Sequence, residues 1–234
     1  MNIWEALASY DYPNKSGLDY INEFTFLVAI LLSAQAQDAF INTQTPDFFK
    51  IAPNANAMYD LGVEKIAHYI HRIGLWRNKA QNIHKLSAKI IEFQQIKDQR
   101  TWYDNLCQQY PSNGDDTHLY GPIISSEGIP GFRIGLLQLA GIGRKSANVF
   151  LNVIYNAPVF PVDTHVQRVG KRLGIVSGNN PFEMEQMMIE SVPFEYSKVI
   201  CHWLVWHGRR VCDAKKPKCG DCKLKKYCNY VKKW

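Results

Sequence analysis

The chain has 234 residues, 46% of them apolar and 21% charged, which suits one large domain or two small ones. That balance excludes a chain too polar to fold and one so small that its core needs covalent staples. The net charge of +6 is uneven: from His207 to Trp234, ten Lys and Arg face two Asp (a local +8), and the other 17 basic and 19 acidic residues sum to −2. Such a segment attracts polyanions, nucleic acid or anionic lipid, or simply solubilises a tail.

In chain order, Met1–Pro13 lacks the basic start and apolar core of a signal peptide. Phe24–Phe40 predicts a long apolar helix, and its apolar run Phe24–Ala34, broken by Thr25 and Ser33, is too short to span a bilayer. A soluble, intracellular protein is expected. Three-four spacing of Ile66, Ile70 and Ile73, then of Ile83, Leu86 and Ile90, predicts helices over Val63–Ile73 and Asn78–Phe93. Leu136–Leu139, Lys145–Ile154, Thr164–Leu173, Pro181–Ile189 and Glu195–Trp206 follow as further helical patterns, separated by Gly and Pro breakers. No pair of alternating strands reads as a β-hairpin. The fold class is therefore all-α.

One stretch departs from that pattern. Ile96–Phe132 is polar and turn-rich, with Pro111, Asn113–Gly114, Gly121–Pro122 and Gly128. Loops of that length are uncommon in a compact domain, so it is functional, disordered or partly helical. Trp102–Gln109 fits a short helix, and the remainder reads as a surface decoration.

Leu139-Ala140-Gly141-Ile142-Gly143-Arg144-Lys145-Ser146-Ala147 joins two helical patterns through two glycines. Glycine permits positive φ and close approach of another backbone. The amides after Gly141 open a helix N-terminus, where unpaired N–H groups and the helix dipole favour a phosphate, and Arg144 adds charge. A plain helix–turn–helix connection accounts equally well for the motif taken alone.

Lys145 falls in the first turn of that helix beside Arg144, both unfavourable for an ammonium, and a neutral amine is what a nucleophilic lysine requires. Asp163, in Pro161-Val162-Asp163-Thr164-His165, reads as a helix N-cap. A helix from Lys145 to Tyr155 rises about 15 Å, and the eight residues on to Asp163 reach about 26 Å extended, so the chain can return the carboxylate to the lysine. Taken singly, a surface lysine and a helix cap explain both residues.

Cys212-x6-Cys219-x2-Cys222-x5-Cys228 places four thiols within seventeen residues. In a reducing compartment such a cluster indicates a metal. Zinc ribbons use two Cys-x2-Cys pairs, whereas a cubane iron–sulfur cluster accepts one pair flanked by single cysteines. The spacing favours iron–sulfur, with zinc the rival. Cys107 and Cys201 remain as structural residues.

Together these features resemble the endonuclease III family of helix-hairpin-helix DNA glycosylases. The resemblance rests on Leu139–Val149, on Val162-Asp163-Thr164-His165, on the cysteine spacing, on Leu31–Asp38 and on Ile73–Ala80. It implies a two-lobed fold: a six-helix lobe over 18–156, with an insertion at about 96–132, and a second lobe of 1–17 plus 157–234 holding a [4Fe–4S] cluster on Cys212, Cys219, Cys222 and Cys228. It implies Lys145 as Schiff-base nucleophile and Asp163 as catalytic carboxylate, with Gly141, Gly143 and Arg144 on the DNA backbone. Gln35, Ile73 and Leu75 are implied at the gap left by a flipped nucleotide. The implied partner is double-stranded DNA with damaged bases or abasic sites, bound by a monomer in the cytoplasm of a bacterium, at the nucleoid.

The implied activity is excision of oxidised pyrimidines followed by β-elimination. Three positions depart from the family pattern: Ala140 stands for a common Pro, Ser146 for a common Thr, and the 96–132 segment is longer than usual. The rivals are a mismatch thymine, uracil or adenine glycosylase of the same superfamily and a catalytically silent iron–sulfur DNA-binding module. The presence of Lys145, and a chain that stops soon after Cys228, argue against the adenine-specific enzyme.

Overall fold

The computed structural model describes residues 2–110 and 115–231. The Pro111 and Asn113–Gly114 turns, and Lys232 and Lys233 of the basic tail, lie outside them. Twelve α-helices and two short strands occur among the described residues, so the helical expectation holds for the chain as a whole. The chain divides into two compact units, one of residues 17–155 and one of residues 1–16 with 156–234. None of the described helices is long and apolar enough to cross a membrane.

The smaller unit opens with α1 (Ile3–Ala8), started by a capping box between Asn2 and Glu5. In the larger unit α2 (Glu23–Ser33) is buried from Phe24 to Leu32, as a helix apolar on every side must be. α3 (Asp38–Gln44) and α4 (Pro46–Ile51) follow. The single long helix expected over Phe24–Phe40 is thus two, interrupted at Ala34–Gln37. α5 (Ala55–Ile70) kinks at Gly62, and α6 (Trp76–Gln94) buries Ala80, Ile83, Leu86, Ile90 and Phe93 along one face.

The described part of the 96–132 segment is folded into the larger unit. It forms α7 (Gln99–Gln109), a 3₁₀ turn at Asp115–Thr117, and an antiparallel pair of β1 (Leu119–Ile124) and β2 (Pro130–Phe132). Phe132 is fully buried and packs with Leu106, Ile134, Trp102 and Tyr103 as a small core of its own. The loop after β1 reaches the N-terminus of α2, where the Glu127 carboxylate accepts the Phe24 N–H at 2.8 Å.

Next come α8 (Arg133–Leu137) and α9 (Arg144–Tyr155). The smaller unit resumes with α10 (Thr164–Leu173), α11 (Pro181–Ser191) and α12 (Ile200–Arg210). Its core joins Leu7 of α1 to Val166 and Val169 of α10, Met184 and Met188 of α11, and Leu204 of α12. The bounds of α10 follow from local signals: Asp163 caps it, and Gly174, at φ +78, ends it.

Candidate nucleic-acid interface

The turn between α8 and α9 holds the glycine motif. Leu139 and Ile142 are buried, and the Ile142 N–H donates to the Leu139 carbonyl at 3.1 Å. Gly141 sits at φ +80, and a Cβ there would lie 2.8 Å from Leu31 Cδ1 and 3.2 Å from Asn82 Nδ2. The turn is therefore seated directly on α2 and α6, and only glycine permits that approach. Around Gly143 there is open space, with nothing within 4 Å of a Cβ position. The first-turn amides of α9, which have no intrahelical acceptors, open beside it.

Lys145, the second residue of α9, is exposed. Arg144 is only partly so, because its Nη1 donates to Asp116 Oδ1 at 2.6 Å. The same oxygen accepts from the fully buried Arg133 at 2.5 Å, and Arg133 also donates to Asn148 of α9 at 2.7 Å. Asp116, from the inserted segment, was not anticipated as part of this region. An aspartate in a polar, turn-rich stretch carries no signal that it will meet two arginines.

The expected gap residues differ in placement. Gln35 is exposed in the turn after α2, with φ +59. Leu75 is 58% exposed and precedes α6 with φ +60. Ile73 is 1% exposed and belongs to the core. Its neighbour two residues on, Leu75, thus presents a side chain to solvent that Ile73 does not.

Asp163 belongs to the smaller unit and Lys145 to the larger. The Asp163 carboxylate accepts the His165 and Val166 amides, both at 2.8 Å, with the same oxygen, Oδ1. That cap holds the carboxylate at the positive end of α10.

The four clustered cysteines line one pocket with Arg172, His207 and Tyr230. All are free thiols. Arg172 Nη1 donates to Cys212 Sγ at 3.2 Å and the Tyr10 hydroxyl to Cys222 Sγ at 3.6 Å. Burial pushes the Cys212 thiol up, and Arg172 and Arg168 oppose the shift. Among the described residues no three His, Cys, Asp or Glu side chains gather tightly enough for a single metal ion. Lys215, Lys216, Lys218, Lys225 and Lys226 are exposed around this segment, so the local positive charge faces solvent.

Residues 28–194 match the family model for the HhH-GPD superfamily base excision DNA repair proteins. The chain is 36% identical to endonuclease III of Escherichia coli (strain K12) over 217 residues, 92% of this chain and 88% of that protein. It is 34% identical to endonuclease III of Rickettsia felis over 228 residues, 97% of this chain and 92% of that protein. A solved structure of a trapped endonuclease III–DNA covalent intermediate, an estranged-adenine complex, superposes with a TM-score of 0.80 at 31% identity, covering 99% of this chain and 94% of that one. The chain belongs to the endonuclease III family of HhH-GPD base excision repair proteins, and is a DNA glycosylase and DNA-(apurinic or apyrimidinic site) lyase.

Proposed function

We propose that the protein excises oxidised pyrimidines from double-stranded DNA and nicks the abasic strand through a Schiff base on Lys145. The observation that carries this reading is the hairpin turn: Gly141 seats it on α2 and α6, space is open at Gly143, and Lys145 is exposed in the first turn of α9. Phosphates are held by the α9 amides and the basic C-terminal segment. The damaged nucleotide rotates out of the stack, with Leu75 and Gln35 at the gap. Neutral Lys145 Nζ bonds to C1′ while the N-glycosidic bond breaks and its electron pair leaves with the base, which takes up a proton. The Asp163 carboxylate stabilises the cationic sugar. The attached amine gives up a proton and the C1′–O4′ bond breaks, O4′ taking up a proton, to leave the open-chain iminium. Loss of a C2′ proton then expels the 3′ phosphate, and water releases the lysine.

Cys212, Cys219, Cys222 and Cys228 would hold a [4Fe–4S] cluster. Four free thiols line one pocket, and one Cys-x2-Cys pair flanked by single cysteines suits a donor set with separated corners better than the two pairs of a zinc ribbon. When bound, the cluster ties the loop into a fixed shape and takes no part in bond cleavage. The protein acts as a monomer in the cytoplasm of a bacterium, at the nucleoid.

The test is borohydride trapping on duplexes carrying thymine glycol or an abasic site, with base release and strand cleavage scored separately. The wild-type protein is expected to form a covalent adduct and Lys145→Ala none. Adduct formation by Lys145→Ala removes the lysine from its role. Binding to damaged duplex without base release supports the silent-module alternative. Iron and acid-labile sulfide analysis after anaerobic purification tests the cluster, and stoichiometric zinc instead would refute it.

A further inference from the structure

We infer that Lys79 is a positioning residue that sets Gln35 and Leu75 together at the gap left by the rotated nucleotide; this rests on the reading of those two residues given above. Lys79 is a lysine only 5% exposed. Its Nζ donates to the carbonyls of Leu32 at 2.9 Å and Ala34 at 2.7 Å. Those oxygens lie at the C-terminal end of α2, where orphan carbonyls and the negative end of the helix dipole favour a cation. Burial lowers the affinity of Lys79 for its proton, and these carbonyls compensate the buried ammonium. At its other end, the Lys79 N–H donates to the Leu75 carbonyl at 3.0 Å.

A single residue is thus bonded to the carbonyl immediately before Gln35 and to that of Leu75. Both Gln35 (φ +59) and Leu75 (φ +60) hold a left-handed backbone that non-glycine residues seldom adopt. Such conformations persist only where surrounding bonds enforce them. The Lys79 side chain ties the turn of Gln35 to the start of α6, which Leu75 caps through the ordinary helical bond from the Lys79 backbone N–H, and the seat of Gly141 against Leu31 of α2 and Asn82 of α6 puts the hairpin on the same two helices. Each exposed side chain alone is a poor filler of a base-sized gap; held in one relative geometry, they present an amide and an apolar wedge together.

Lys79→Met keeps the stem of the side chain and removes its donors. Single-turnover base release from a thymine glycol duplex is compared with cleavage of an abasic site in a single strand, which has no opposite base and no stack to fill. Lys79→Met is expected to slow the duplex reaction by about tenfold or more, as small misplacements do, while single-strand cleavage stays within about twofold. Adding Gln35→Gly, which keeps the turn and removes the amide, costs several-fold alone but less than about twofold in the Lys79→Met background, because coupled residues are non-additive. Lys79→Gln, shorter and uncharged but still a donor, is expected to fall between, and carries the same comparison if the methionine variant does not fold. Equal losses on both substrates, no loss on either, or costs that simply multiply would overturn the assignment. A wild-type protein that releases no damaged base defeats the functional reading instead, so the two failures are distinct.

Discussion

The Asp116 carboxylate accepts from Arg144 at 2.6 Å, which joins the inserted segment to the first residue of the hairpin helix. Arg133, with a fully enclosed side chain, holds the same oxygen from the other side. A residue expected to meet phosphate is thus already oriented by an acid. Breaking such an arrangement leaves a buried charge with less compensation. Asp116→Ala is expected to cost about 3 kcal/mol of stability, measured by urea denaturation, and to weaken duplex binding as Arg144 loses its support. A change below about 1 kcal/mol, the range of an exposed pair, would show that the insertion does not brace the hairpin.

Asp163 has two separable duties. As N-cap it accepts two amides at 2.8 Å, which an Asn amide oxygen can also do. Asp163→Asn is expected to leave stability within about 0.5 kcal/mol, whereas Asp163→Ala costs about 1 kcal/mol. Both are expected to lose base release, since neither retains the negative charge. Thermal melts beside single-turnover kinetics separate the two duties, and a fully active Asn variant would reduce Asp163 to a cap.

Gly141→Ala places a methyl group 2.8 Å from Leu31 Cδ1 on a backbone with φ +80. The expected cost is about 2 kcal/mol from the left-handed conformation and the contact together. Because the turn is displaced from α2 and α6, affinity for duplex DNA should fall as well. Unchanged thermal stability and affinity would mean that the seat of the turn is adjustable.

Burial raises the Glu127 carboxyl above its ordinary 4.5, the Phe24 amide opposes that shift, and Glu23 adds to it. A raised folded-state value means the native protein holds this proton more tightly than the unfolded chain. Stability from this group is therefore fully present below pH 4.5 and is lost as pH rises through the folded-state value. Glu127→Gln keeps an acceptor for the Phe24 amide and removes the titration. Denaturation midpoints of the wild type relative to Glu127→Gln should decline across the window just above pH 4.5 and level off beyond it. A difference independent of pH would show that the group is solvated.

The candidate residues stand out in the sequence because their signals are local. The glycine turn before Arg144 and Lys145, the Asp163 cap and the thiol spacing depend on neighbours a few residues away, where backbone geometry and side-chain reach are set by short-range sterics. The same holds for α10, whose ends are written as Asp163 and Gly174. The strand pair was not legible, since Gly121 and Pro122 argue against a strand. Its existence depends on Gly131 packing so closely on the Gly121–Pro122 backbone that no side chain fits.

By itself, then, the sequence determined a helical chain, a hairpin presenting Lys145 and four closely spaced cysteines, all properties of residues close in the chain. Tertiary structure alone decided that Ile73 is core while Leu75 is exposed, that Lys79 lies buried under the end of α2, and that Asp116 reaches Arg144. Burial and ion pairing depend on what other segments bring to the same point, and no periodicity in a single segment encodes those partners.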